Sequence, residues 1–397
     1  MDKERTKALF IGPLPPPYSG PELGMKLFLE SSLKDNFQIE FLKTNFAKSN
    51  DKKAKIGLKS AVWTLFFHFR LVWLLITFRP TVVYYPITPT AMGWLGRDAP
   101  CLLLVHLYGA KSVIHLRGSH LKLNFTRFGR LARYATRIAC RRVGLAIVQA
   151  ECLRDQFVGL VSADRIRVLP QAIESSEFDR EPSDGKPPGN EENLLLFLGN
   201  LSYAKGYCDL MEALPKVAAA VPDAKFVFCG SIVEGATGVF FDQSTGNPLE
   251  HKSPRTYHEA VMTSELRHNY DWRGVVRGND KKTLLRSCSF VALPSYSEGF
   301  SRALLEAMTV GKPVICSPVG AHKEFIHNGV NGLVVAPGDI EGLASAIVRL
   351  LSDSDLRKRI GQNNYKYTRE NFDIDVISRK MSEILTEVID IDVEKKR

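Results

Sequence analysis

Short, almost wholly apolar runs recur along this chain at helix-length intervals, and they fall into two series. The first comprises Ala8–Ile11, Thr81–Tyr85, Ser112–Leu116 and Gly144–Val148. The second comprises Leu194–Leu198, Lys225–Cys229, Phe290–Leu293, Pro313–Ser317 and Gly332–Val335. A strand that is apolar on both faces must be covered on both faces, which is the condition of a parallel sheet wrapped by its crossover helices. Between the series, Arg167–Lys186 loses periodicity and gathers Pro, Ser, Asp and Glu, as an interdomain linker does. At 397 residues the chain is too long for one ordinary core. The pattern therefore predicts an α/β protein of two Rossmann-like, doubly wound domains, residues 1–172 and 190–372. Domains of this kind bind ligands at the carboxyl ends of their strands, here in a cleft between the two. The stretch between Gly230 and Gly274, with its polar loop Asp242–Pro248, reads as an insertion.

Seven cysteines are scattered with no metal-ligand or redox spacing, which fits reduced, buried thiols in the cytoplasm. Met1–Lys7 leads straight into a strand and offers no signal-peptide pattern. The most hydrophobic stretch, Ala61–Phe78, carries His68 and Arg70 near its middle and ends at Arg79-Pro80. It is read as a buried or interfacial helix rather than a membrane span, because charges at mid-span are costly in lipid.

The chemistry concentrates in Pro294-Ser-Tyr-Ser-Glu298-Gly299-Phe300-Ser301-Arg302-Ala-Leu-Leu-Glu306. A strand ends at Pro294, a tight loop follows, and a helix begins near Ser301. Unpaired N–H groups at such a helix start seat a diphosphate. Glu306 lies about 7–8 Å along the helix axis, within reach of hydroxyls at one end of that diphosphate, while Glu298 sits at the other. Taken alone, the spacing also fits two ordinary surface acids.

This stretch resembles the Glu-x₇-Glu signature of retaining glycosyltransferases of the GT-B fold, close to glycosyltransferase family 4 (glycosyl transferases group 1). The resemblance continues through Gly320-Ala-His-Lys-Glu324 and Asn328–Gly338, and resumes upstream in Phe197–Gly206 and Leu210–Leu214. It is specific over residues 193–351 and weaker over 1–170. It implies a donor-binding second domain, an acceptor-binding first domain, and a C-terminal helix within 373–397 crossing back to the first. It implies that Lys205 neutralises a departing diphosphate, where charge develops in the transition state. Glu306 would hold the ribose, and Glu298 with the backbone of Gly299, Phe300 and Ser301 would hold the donor sugar.

Two positions depart from the family. Asn200 stands where an arginine is common, and Arg117 where many members have a histidine, within Val113-Ile-His115-Leu-Arg117-Gly118-Ser119-His120. An arginine cannot act as a base but can bind phosphate or hydroxyls. His115 and His120 are the nearby substitutes. The opening loop Gly12–Pro21 resembles the family's glycine-rich loop, with Gly20 permitting close backbone approach to a ligand.

The implied reaction transfers a hexosyl group from a nucleotide-diphosphate sugar to a saccharide or lipid-linked acceptor with retention, in the building of bacterial-type polysaccharide or glycan. No metal or other cofactor is required, since Lys205 and helix N-termini stand in for a cation. Two other classes share the donor seat: a GT-B sugar-nucleotide epimerase, and a non-catalytic partner subunit. Asn200 and Arg117 keep the last open, and intact Glu298, Glu306 and Lys205 argue against it.

Charge divides the halves. Residues 1–170 hold 26 Lys+Arg against 11 Asp+Glu, a net +15, and the rest of a chain totalling 53 and 43 is at −5. Arg127, Arg130, Arg133, Arg137 and Arg141 share one stripe if their segment is helical, and Lys52, Lys53, Lys55 and Lys59 precede the apolar run. Such a surface suits an anionic membrane, with the protein peripheral at its cytoplasmic face. Nucleic acid fits poorly, as no reading module accompanies the charge.

Overall fold

A computed structural model describes residues 5–45, 58–179, 193–234 and 252–395. The loop Asp242–Pro248 lies outside these, as do Lys52, Lys53, Lys55 and the side chain of Lys59. The chain divides into two compact units, Met1–Ile173 with Phe372–Arg397, and Glu174–Asn371.

The first unit is built on strands β1 (Thr6–Gly12), β2 (Phe37–Lys43), β3 (Val82–Pro86), β4 (Lys111–His115), β5 (Leu145–Val148) and β6 (Ile166–Val168). They form one sheet in the order β2-β1-β3-β4-β5-β6, every pairing parallel. Strands β3 to β5 are buried almost throughout, which is why they are legible as apolar runs. Edge strand β2 alternates apolar and polar residues and follows directly on the helical turn Leu33–Asn36, so no apolar run marks it. Strand β6 falls in the stretch read as linker.

The helix Ile374–Lys395 belongs to this unit. Ile377, Met381, Leu385 and Val388 recur at helical spacing and are buried with Phe28, Leu33, Tyr84 and Val113. Its approach is close enough that a Cβ on Gly144 would lie 2.4 Å from Val388 and 3.0 Å from the carbonyl of Ser112.

Helix Leu58–Thr77 accounts for the long apolar run, and no helix among the described residues is long and apolar enough to cross a membrane. The arginine-rich segment is not one helix. It breaks at Gly129, whose extended backbone caps helix Arg130–Arg141, and Arg127 caps the preceding helix Leu121–Thr126.

The second unit repeats the plan with β7 (Leu194–Leu198), β8 (Lys225–Cys229), β9 (Tyr270–Trp272), β10 (Phe290–Leu293), β11 (Val314–Cys316) and β12 (Leu333–Val334), in the order β12-β11-β10-β7-β8-β9 and all parallel. In a sheet of this order, strand order reverses between the parallel neighbours β7 and β10, so the loops that follow those strands lie side by side. In the first sheet the same reversal falls between β1 and β3.

Substituting Leu385→Ala should lower stability by about 2–5 kcal/mol, because the side chain is fully buried. Urea unfolding followed by fluorescence measures it, and exposed Thr386→Ala should stay within about 0.5 kcal/mol of the parent.

Candidate active site

The loops after β7 and β10 pack so closely that one position admits only glycine. Gly206 has φ 69°, and a Cβ there would stand 1.9 Å from the carbonyl oxygen of Pro294. The amide of Tyr296 donates to Ala204 O at 3.0 Å, and the Tyr296 hydroxyl donates to Asp209 at 2.6 Å. Buried Asp209 also accepts from the Gly338 amide at 3.1 Å, which ties in the loop beyond β12.

This packing brings Lys205 and Glu298 into a direct ion pair. Glu298 is buried and takes a further hydrogen bond from Ser295 Oγ at 3.0 Å. Burial pushes its carboxyl up, but the Lys205 ammonium and the hydrogen bonds from Lys205 and Ser295 outweigh that and hold it below the usual glutamate value. Gly320, with φ 51°, lets the next loop close on this one: a Cβ would lie 1.9 Å from Glu298 O. The Ala321 amide then donates to Gly299 O at 3.0 Å, and the Phe300 ring stacks on Phe325 at 4.6 Å.

His322 is 1% exposed, and its Nδ1 meets Ser317 O at 3.1 Å. A carbonyl only accepts, so Nδ1 carries the proton and Nε2 presents a lone pair, for which no partner stands among the described residues. Burial holds this imidazole below its ordinary value, hence neutral.

Ser301 caps helix Arg302–Thr309, its Oγ accepting from the Leu304 amide. Glu306 is buried in that helix and receives Lys281 Nζ at 2.8 Å and Arg302 Nε at 3.0 Å on the same oxygen. Burial raises its pKa, Lys281 and Arg302 lower it, and the balance is a carboxylate below the usual value. Asn200 is exposed and its side chain makes no hydrogen bond among the described residues.

Sequence reasoning assigned no role to Lys281, His322, Asp209 or Tyr296. His322 stood inside a matched segment, where its burial gave no signal. Lys281 comes from helix Gly278–Ser287, and only the folded sheet carries it to Glu306.

The remaining candidates lie in the first unit. Arg117 Nη2 donates to the Tyr84 hydroxyl at 3.2 Å, and Tyr84 meets His115 Nδ1 at 2.7 Å. His115 is 2% exposed, and burial with Arg117 nearby drives its pKa well below the ordinary value. It is thus a neutral brace for Tyr84, beyond direct reach of a ligand. His120 is half-buried, with Nδ1 3.4 Å from Ser119 Oγ. A Cβ on Gly20 would meet open space, so the chain's own packing places no demand there. At Gly24 it would lie 2.1 Å from Arg117 Nη1, so a side chain there would displace the guanidinium that crosses the helix.

Arg117 lines a cavity of about 440 Å³ with Glu22, Asn45, Thr88 and Arg97, at the carboxyl ends of β1 to β4. Arg97 is anchored by fully buried Asp98, which also accepts from the Tyr85 hydroxyl and from Thr88.

Residues 179–367 match the model of the glycosyl transferases group 1 family. The match runs over nearly all of the second unit. An uncharacterized glycosyltransferase of Methanocaldococcus jannaschii is 31% identical over 244 residues, covering 59% of this chain and 57% of the relative. The alpha-D-kanosaminyltransferase of Streptomyces kanamyceticus is 22% identical over 267 residues, covering 65% of this chain and 64% of that enzyme. The chain spans about half the length of the first curated relatives that it matches. Anabaena HepE, solved in complex with UDP, superposes with a TM-score of 0.71 at 20% identity, over 96% of this chain and 100% of that one. Sucrose-phosphate synthase from Thermosynechococcus elongatus gives 0.72 at 15% identity, over 97% and 99%. The fold of the chain is GT-B.

The two lowered carboxylates and the neutral histidine make the second unit acid-sensitive in two windows. His322 has its pKa lowered by folding, so its contribution is complete above about 6.5 and is lost as pH falls below it. For Glu298 and Glu306, also lowered, stability is present above about 4.5 and lost as pH falls through the folded values. Thermal melts from pH 8 to 3 should show both declines. In Glu306→Gln the plateau should be lower, the first decline unchanged and the second shallower.

Proposed function

We propose that this chain is a retaining hexosyltransferase, moving a sugar from a nucleotide-diphosphate donor to a saccharide or lipid-linked acceptor. The observation that carries this is the Lys205–Glu298 pair at the reversal point of the second sheet, with helix Arg302–Thr309, capped by Ser301, and Glu306 beside it. The match of residues 179–367 to the glycosyl transferases group 1 model supports the transferase class. Anabaena HepE, of like fold, has been solved with UDP-glucose, which makes a nucleotide sugar the donor class to test first.

In this reading the diphosphate lies against the Lys205 ammonium and the backbone amides of Gly299–Ser301, with no resident metal ion. Glu298 holds Lys205 in place and takes hydroxyls of the transferred sugar, while Glu306 takes the ribose. The anomeric C1–O bond to the diphosphate breaks as charge passes to the leaving oxygen. The acceptor hydroxyl forms the new C1–O bond on the same face and gives its proton to that oxygen. The first unit holds the acceptor, with Arg97 and Arg117 in its cavity. We set the reaction at the cytoplasmic face of a membrane, in the building of a bacterial-type glycan.

Melting the protein with UDP, GDP, ADP, CMP and dTDP tests the donor seat. A nucleotide at 100 times its Kd should add about 2.7 kcal/mol of stability, and hence several degrees. Glu306→Ala and Lys205→Ala should each abolish most of that gain. With the matching sugar nucleotide, NMR should detect a new glycoside with the donor's anomeric configuration. An epimerised donor, an inverted product, or no stabilisation by any of the five would refute the proposal.

A further inference from the structure

Helix Leu58–Thr77 is apolar on two opposite sides. Phe67, Leu71, Leu74 and Leu75 are buried in the first unit. Val62, Leu65, Phe66, Phe69, Trp73 and Ile76 recur at three- and four-residue spacing on the other side, and are 44–78% exposed. At 3.6 residues per turn the two stripes are centred roughly half a turn apart, so the second points straight out from the unit. Apolar exposure this continuous marks a surface that something covers.

What covers it is indicated by the neighbouring helices. The connections β2 to β3, β3 to β4 and β4 to β5 all step in one direction across the sheet. Right-handed crossovers therefore place helices Leu58–Thr77, Ala99–Leu107 and Arg130–Arg141 in a single layer. The middle helix packs on both of the others, while helix Ile374–Lys395 packs with Gly20–Glu30. Helix Arg130–Arg141 turns Ala132, Thr136, Ala139 and Cys140 inward. Outward it presents Arg130, Arg137 and Arg141 with Leu131 and Tyr134, the last two 69% and 65% exposed. Arg127, at the preceding cap, is also exposed. None of these arginines pairs with a carboxylate among the described residues. Arg70 lies over the Trp73 ring at 4.2 Å, so a cation also flanks the apolar stripe itself.

We propose that the outward face of this layer seats the protein on an anionic bilayer, helix Leu58–Thr77 lying in the plane of the headgroups. Its apolar stripe enters the acyl boundary, and the unpaired arginines meet lipid phosphates. A second copy of the chain is a poor occupant, because a twofold contact would set one arginine row against another. The inference deepens the membrane-side placement proposed above and rests on it, but its test reads binding rather than transfer.

The full chain is sedimented with vesicles of phosphatidylcholine, alone or with phosphatidylglycerol at about two to one, at low and high salt. Binding to the anionic vesicles should be at least about tenfold tighter, and should weaken as salt rises. The double variant Leu65→Glu/Phe69→Glu should lose it. The triple variant Arg130→Gln/Arg137→Gln/Arg141→Gln should weaken it about a hundredfold. All the substituted side chains are exposed, so both variants should melt with the parent. The proposal is overturned if the parent ignores anionic vesicles, or if both variants bind as it does. It is equally overturned if the parent is a dimer that Leu65→Glu/Phe69→Glu splits, which would make the occupant a second copy. Transfer to a water-soluble acceptor, assayed alongside, separates the two ideas. Transfer without vesicle binding sinks only the membrane surface, and vesicle binding without transfer sinks only the hexosyltransferase.

Discussion

Everything at the candidate site depends on the close approach of two loops at the point where strand order reverses in the second sheet. Because β7 and β10 are neighbours, the turns leaving them must share the same few ångströms, and Gly206 against Pro294 O records how little room is left. That contact sets Lys205 on Glu298. A buried carboxylate without a cation would be costly, and an ammonium without a carboxylate would swing into solvent. Each residue therefore fixes the other. Gly320, closing the next loop over Glu298, extends the same constraint to His322 and Phe300.

The two carboxylates of the Glu-x₇-Glu stretch end in different electrostatic settings. Glu298 has one cation and the hydroxyl of Ser295, and stands beside a neutral imidazole whose Nε2 faces no donor among the described residues. Glu306 has two cations on a single oxygen. A group with two cations is held rigidly and suits a fixed anchoring role. A group held by one lysine can share that lysine with an arriving anion. That difference fits the roles proposed for them, Glu306 anchoring one end of the donor and Glu298 standing at its reacting end.

The first unit uses the same sheet plan for other ends. Its strand ends carry Arg117 and Arg97, each braced from beneath: Arg117 by Tyr84 and His115, Arg97 by Asp98 and Tyr85. Its outer helical layer carries apolar and basic stripes that its own core does not use. The surplus of positive charge over residues 1–170 is thus distributed between a cavity and a surface, and the sequence total alone could not divide it.

The sequence by itself determined the two-series α/β plan, because a strand buried on both faces leaves an apolar run that few other structures require. Glu298, Glu306 and Lys205 stood out through the resemblance of the Glu-x₇-Glu stretch and of Phe197–Gly206 to retaining GT-B glycosyltransferases, since the spacing taken alone also fitted two surface acids. Strands β2, β6 and β9 escaped notice, since an edge strand or a three-residue strand needs no such run. The arginine stripe was legible as periodicity, but not its interruption at Gly129, where backbone geometry decides. Only the tertiary structure decided that His115 is a buried brace, that Lys281 comes to Glu306 from 25 residues away, and that His322 stands beside Glu298. Burial and pairing across strands depend on sheet order, and sheet order is set by packing the whole unit rather than by any local run of residues.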